Sequence, residues 1–393
     1  MDLSYSTEEM SFRNEVRDWL AANLPADLRE KVQSYRHLSK EDYLRWHKIL
    51  AAKGWSVPHW PVEWGGTGWN ITQRYIYDEE FALAGAPGLP PFGPAMCASV
   101  LLKFGTPTQK EQFLPRIREG DDFWVQGYSE PGAGSDLAAL KTRAERQGDH
   151  YLVNGQKIWT TLGHYGDWIF CLVRTDSQAE KRQEGISFLL MDMKTPGITV
   201  RPLILMDGGH EVNEIFFDNV KVPAQNLVFE ENKGWTVAKY LLGHERMGSG
   251  SVGASRRELA ALRALAGREM KNGKPLLDDA RFKDKLSRVE VELDALEITS
   301  MRFLDKMRRT GQPPGADVSM LKIRGTEVQQ MITELAMQAA GPNAQPFKAV
   351  DDGAIDHFTS RLAPRYFNYR KASIYAGSNE IQRNIIAKMT LGL

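Results

Sequence analysis

Two neighbouring stretches carry polar groups in an arrangement suited to holding a flat, charged molecule. The first, QGYSEPGAGSD at Gln126–Asp136, is a short apolar strand (Phe123 to Tyr128) that runs into a loop. Gly132, Gly134 and Ser135 in that loop let backbone N–H groups approach an anion closely. The second, YLVNGQKIWTT at Tyr151–Thr161, ends with the hydroxyls of Thr160 and Thr161 beside the indole of Trp159. Hydroxyls and free amides along one side of an aromatic wall suit a ring system with polar edges and a phosphate tail. An ordinary β turn followed by a core tryptophan suits the same residues, and a glycine-rich loop does not by itself separate the two.

A chain of 393 residues, 42% of them hydrophobic, is long enough for two or three domains with well-formed cores. Fifty basic and fifty acidic side chains cancel, so no overall field favours nucleic acid or an anionic membrane, and an anionic ligand must be held locally. Cys97 and Cys171, the two cysteines, sit in apolar settings and read as reduced core thiols; no metal-ligand spacing appears. The first residues lack the pattern of a signal or transit peptide, and no apolar run is long enough to span a bilayer, so a cytoplasmic location without membrane insertion is expected.

Helical spacing dominates both ends. Ser6 and Glu9 make a capping-box pattern ahead of Phe12, Val16, Trp19 and Leu20. Further helical patterns cover Tyr43–Ala52, Gln73–Leu83, Ala95–Phe104 and Gln109–Glu119. From about Asp122 the pattern changes to short β segments: a hairpin signal after Gln126, then Trp168–Arg174, Ile186–Met191, Ile198–Leu205 and Glu214–Val222. After Gly234 long helical patterns return, with Phe282, Leu286, Val289, Leu293 and Leu296 spaced as a bundle seam. The expected class is α+β: an all-helical N-terminal domain (1–121), a middle antiparallel β barrel or sandwich (122–232) and a C-terminal helical bundle (233–393).

Together with FFDNVKVPAQNLVFEENKGW (Phe216–Trp235) and YAGSNEIQRNII (Tyr375–Ile386), the two opening stretches resemble the signature motifs of the acyl-CoA dehydrogenase family, in that family's order and nearly end to end. The likeness is greatest to the large subunit of pimeloyl-CoA dehydrogenases, and there is a further resemblance to two-subunit dehydrogenases of steroid side-chain breakdown. The resemblance implies non-covalent FAD, desaturation of an acyl-CoA to its trans-2-enoyl thioester, an electron-transfer flavoprotein as acceptor, and a homo- or hetero-tetramer. It places Gln126, Tyr128, Ser129, Gly134, Ser135, Trp159, Thr160 and Thr161 along the flavin, with Ser129 and Thr161 near the reactive ring and Ser135 also on the CoA side. Ser378 and Glu380 fall where the family's last motif meets the cofactor, although helix capping accounts for both. A same-fold oxidase or monooxygenase, and a non-catalytic or half-site subunit, are the rival readings.

The second rival arises because many members carry a carboxylate directly after the motif tyrosine, whereas Tyr375 is followed here by Ala376. A minority place the base just before an arginine on an early bundle helix, and this chain has Glu245-Arg246 there. The resemblance therefore implies Glu245 as the base and Arg246 as its partner, with the backbone of Ala376 and Gly377 at the thioester. Counted along one helix from Glu245, Ser249, Val252 and Gly253 share its face, which fits either a widened acyl pocket or close helix packing. Two segments through which the family reaches a neighbouring subunit's dinucleotide depart from its pattern. Arg268–Gly273 lacks a phenylalanine, and Gln338–Ala344 has Pro342 and Ala344 in place of glycines. A different partner subunit and simple sequence drift both fit those departures.

Overall fold

The computed structural model describes residues 4–244, 250–312, 314–344 and 358–393. The expected base Glu245 and its partner Arg246 thus lie outside the described residues. The N-terminal part holds α1 (Thr7–Asn23), α2 (Ala26–Gln33), α3 (Lys40–Lys53), α4 (Ile71–Leu83), α5 (Ala98–Phe104) and α6 (Pro107–Glu119). At the start of α1 the Ser6 hydroxyl accepts from the Glu9 N–H at 3.2 Å and the Glu9 carboxylate accepts from the Ser6 N–H at 2.8 Å, the reciprocal cap its sequence predicts. Helix α2 escapes pattern reading because Leu28 is its one buried residue. The helix read over Ala95–Phe104 is divided: Phe92–Cys97 form a wider π turn, where Pro94 supplies no N–H, before α5 begins. Between α3 and α4 a loop rich in tryptophan packs inward, Trp55 lying 5.4 Å from Trp69, and the Trp60 indole donates to the Pro94 carbonyl at 2.7 Å.

The middle part contains β1 (Trp124–Gly127), β2 (Arg143–Gln147), β3 (His150–Thr161), β4 (Trp168–Arg174), β5 (Ile186–Asp192), β6 (Ile198–Ile204), β7 (His210–Pro223) and β8 (Leu227–Val228). The strands form one eight-stranded sheet in the order β6-β7-β3-β2-β4-β5-β8, with β1 added against β4. The expected hairpin is β2–β3, turning at Gly148-Asp149. An all-antiparallel arrangement is not what forms: β1 runs parallel to β4 from Trp124↔Trp168 to Gly127↔Cys171, and β2 meets β4 in parallel at Arg143↔Arg174. β4 has β1, β2 and β5 as neighbours, and its five central residues Ile169–Val173 are all buried, as a strand covered on both faces requires.

The C-terminal part comprises α7 (Gly234–His244), α8 (Val252–Arg268), a small hairpin of β9 (Met270–Lys271) and β10 (Lys274–Pro275), then α9 (Ala280–Thr310), α10 (Ser319–Ala340), α11 (Leu362–Tyr369) and α12 (Asn379–Ile386). All five expected seam residues of α9 are buried. A Cβ on Gly234 would meet the Ser187 backbone at 2.5 Å, so glycine lets α7 start hard against β5. One continuous helix running from Glu245 through Gly253 is not formed, because Ser251 is left-handed (φ 48°) and α8 begins at Val252. A Cβ on Gly253 would stand 3.0 Å from both the Ala82 Cβ and the Glu79 carbonyl oxygen, so this glycine serves the close approach of α8 to α4. Among the described residues no helix is long and apolar enough to cross a membrane, and no cluster of side chains has the makings of a metal site.

Candidate active site

The loop after β1 is held by a buried charge pair. Alternation along β3 turns Tyr151, Val153 and Lys157 to the same interior face, and Lys157 is fully buried. Its ammonium donates to Glu130 Oε1 at 2.8 Å and to the Tyr128 carbonyl at 3.1 Å. The Glu130 carboxylate also accepts from the N–H groups of Lys141 (2.6 Å) and Thr142 (2.9 Å), so one side chain ties both ends of the glycine loop to β3. Burial opposes the Glu130 charge, but Lys157 and the donors outweigh it and hold the carboxyl below its ordinary range. Burial draws Lys157 below the ordinary lysine range, with Glu130 opposing. The sequence reading passed over both residues, although a lysine on the apolar face of a strand signals a buried counter-ion.

On that anchored frame the loop itself is open. Gly134 and Ser135 are exposed, and nothing lies within 4 Å of where a Cβ on Gly132 or Gly134 would stand. Gln126 is half-buried in register with Phe170, and Tyr128 is buried with its ring edge-on to Phe170 at 5.8 Å. Ser129 is half-buried, and its carbonyl accepts from the Ile158 N–H at 2.9 Å, which joins the loop to the end of β3.

At that end the ladder slips: Lys157 pairs with Ile215 but Thr160 pairs with Asn213, so β3 carries one extra residue there. Trp159 takes the left-handed conformation at φ 61° and leaves its indole 56% exposed. For a bulky residue this backbone costs about 1–2 kcal/mol. An exposed aromatic on a strained bulge is a mark of a binding surface. Thr160 turns inward at 2% exposure, and its hydroxyl has no hydrogen-bond partner among the described residues. Thr161 is half-buried.

Beneath Thr160 the fully buried Asn213 donates to its carbonyl at 3.0 Å and to His164 Nδ1 at 3.2 Å, and accepts from His210 Nε2 at 2.7 Å. The two imidazoles are 4.1 Å apart. Burial and then the neighbouring His210 push the His164 pKa down to about 4, which keeps that ring neutral. No sequence motif announces this cluster.

The C-terminal motif forms a turn that Lys371 and Glu211 tie to β7. Ile374 and Tyr375 donate to the Lys371 carbonyl at 2.8 and 3.1 Å, then Ala376 and Gly377 are both left-handed, at φ 51° and 77°. Ala376 and Gly377 are exposed. Ser378 caps α12 by accepting from the Ile381 N–H at 3.4 Å, and Glu380 is exposed in the first turn of that helix. Glu211 connects this turn to the strand: its carbonyl accepts from the Leu162 N–H at 2.8 Å, and its carboxylate pairs with Lys371 and accepts from Asn368 at 3.0 Å. The structure therefore links the Gln126–Ser135 loop, the Trp159–Thr161 bulge and the Ala376–Ser378 turn through named hydrogen bonds. The orphan Thr160 hydroxyl, the exposed indole and the open glycine loop fit a flat cofactor with polar edges.

Three family profiles match the chain in sequence: the acyl-CoA dehydrogenase N-terminal domain over residues 6–121, the middle domain over 126–220 and the C-terminal domain over 232–391. Acyl-CoA dehydrogenase IpdE1 of Mycobacterium tuberculosis is 38% identical over 97% of both chains. The chain belongs to the acyl-CoA dehydrogenase family. It is thereby an oxidoreductase acting on acyl-CoA, in a family of flavoproteins. Among solved structures, one titled Tcur3481-Tcur3483 steroid ACAD matches with a TM-score of 0.86 at 29% identity, covering 100% of this chain and 99% of that one. The ChsE4-ChsE5 complex from Mycobacterium tuberculosis matches with a TM-score of 0.84 at 32% identity, over 100% and 99%. The special backbone at Trp159 and at Ala376-Gly377 falls within the middle and C-terminal acyl-CoA dehydrogenase segments respectively.

Proposed function

We propose that this chain desaturates an acyl-CoA thioester to the trans-2-enoyl-CoA with non-covalent FAD and passes the electrons to an electron-transfer flavoprotein. The supporting observation is the bulge at Trp159, which exposes a strained indole and leaves the Thr160 hydroxyl buried without a partner. Gln126, Tyr128, Ser129, Gly134, Ser135, Trp159, Thr160 and Thr161 would hold the cofactor, with Ser378 and Glu380 at its edge. Bound flavin supplies a hydride acceptor for the substrate β-carbon. The chain supplies the rest. The exposed amides of Ala376 and Gly377 polarise the thioester carbonyl, and the Glu245 carboxylate removes the α-proton with Arg246 beside it. On this reading residues 1–121, 122–232 and 233–393 are three functional domains, the middle one meeting flavin and thioester, and the last carrying the base and the subunit contacts.

The orphan hydroxyl gives the cofactor assignment a direct test. Thr160→Val should leave the flavin-free protein as stable as wild type, since no internal hydrogen bond is lost. It should weaken FAD binding about tenfold, the worth of one hydrogen bond of ~1–1.5 kcal/mol. Equal FAD affinity by fluorescence titration, with or without the hydroxyl, would refute the placement.

Likeness to the two-component Tcur3481-Tcur3483 steroid ACAD and ChsE4-ChsE5 complex favours a bulky polycyclic acyl group and a second dehydrogenase subunit. The departures at Arg268–Gly273 and Gln338–Ala344 fit the second subunit as well, whereas the likeness to the pimeloyl-CoA enzyme gains no support from the comparisons. The chain expressed alone should then bind FAD incompletely and regain full occupancy with its partner. A fully flavinated, active homotetramer of the lone chain, by light scattering and absorbance, would count against the heteromer.

A further inference from the structure

Near the start of α10, Lys322 is 6% exposed, and burial pushes its pKa down to about 8. No carboxylate among the described residues pairs with it. Its ammonium instead donates to the Ala372 carbonyl at 2.5 Å and stands 5.2 Å from the centre of the Tyr375 ring. One helical turn along the same face, Thr326 is bonded to the buried Asn379, whose Nδ2 lies 3.1 Å from the threonine hydroxyl. Helix α10 therefore grips the chain on both sides of the left-handed pair Ala376-Gly377, at Ala372 and Tyr375 before it and at Asn379 after it.

A neutral donor would serve the Ala372 carbonyl, and an apolar side chain would fill the space without the penalty of burying an unpaired charge. A cation at this place is accounted for if negative charge develops nearby. The acyl-CoA reading above puts such charge on the thioester oxygen as the α-proton leaves. Resting on that reading, we propose that Lys322 is a positioning residue of the reaction. It fixes the Ile374–Gly377 turn so that the Ala376 amide faces the acyl carbonyl, and its charge favours the oxygen becoming negative.

The test uses the flavin-loaded protein, together with its partner if the heteromer forms, and an acyl-CoA labelled with carbon-13 at the thioester carbon. Difference infrared spectroscopy then reads the carbonyl stretch of the bound ester in wild type, Lys322→Met and Lys322→Arg, alongside kcat and KM. Lys322→Met is expected to keep its flavin and a KM within roughly threefold, to lose most of the lowering of the carbonyl frequency, and to drop kcat roughly tenfold to a hundredfold. Lys322→Arg, which keeps a cationic donor, should restore both. A wild-type frequency shift and kcat in Lys322→Met would reduce Lys322 to a packing residue. If that variant does not fold, Lys322→Gln takes its place with the same two readouts. A wild-type protein that binds and polarises the ester without transferring electrons would defeat the dehydrogenase reading while leaving the positioning role measurable. One that turns over with no shift of the carbonyl would defeat the positioning role alone.

Discussion

Lys157→Met is expected to destabilise the protein by about 3 kcal/mol and to abolish tight flavin binding. Removing one partner of a buried ion pair strands the other, at a cost of ~3–5 kcal/mol. Here the two amide donors from Lys141 and Thr142 stay with Glu130 and soften the loss toward the lower end. The effect reaches the cofactor because the same lysine holds the Tyr128 carbonyl, and with it the entry to the glycine loop. Adding Glu130→Gln removes the stranded charge while keeping an acceptor for an amide. The double variant should therefore recover about half the lost stability and less of the flavin affinity. Urea unfolding with parallel flavin titration measures both. A change below ~0.5 kcal/mol in Lys157→Met would show that the pair does not secure the loop.

Glu245→Gln should lower kcat by about 10²–10⁴-fold with flavin content unchanged, the range for loss of a general base. Four carboxylates around the described site already have other tasks or low basicity. The methyl group of Ala376 takes no proton. Glu130 is committed to Lys157 and two amides. Glu211 is paired with Lys371, and Asp207 accepts from the Gly209 N–H and from Asn368. Glu380 is exposed at the start of α12, where its own amide and Ser378 favour the ionised form and keep its pKa low, a poor base. The proposed chemistry needs a carboxylate that none of these supplies, and Glu245 beside Arg246 is the residue the family resemblance puts at the task.

Much of the architecture was legible because local rules write it. The Ser6–Glu9 cap, the α9 seam and the hairpin after Gln126 each depend on residues close in sequence, and each formed as read. The site residues were legible as a loop and a strand end, through a resemblance of motifs. What stayed hidden depends on distant partners. Nothing near β1 in sequence says that it runs parallel to β4. The bulge at Trp159 offsets an opposite one in β7 between Val220 and Phe217, a register that exists only once β3 and β7 are paired. Lys322 looks like any helix lysine until α10 turns it beneath Ala372. At Gly253 the sequence left a widened pocket and close helix packing open, and the approach of α4 decides for packing there.

The most direct measurement is anaerobic mixing of the flavin-loaded protein, together with its partner subunit if the heteromer forms, against acyl-CoAs from short straight chains to polycyclic side-chain thioesters, for wild type and Glu245→Gln. Bleaching of the flavin absorbance by bulky acyl-CoAs in wild type, absent in Glu245→Gln with the flavin still bound, is the predicted result. Equal bleaching in both proteins, or bleaching of wild type by short straight chains alone, would contradict the account.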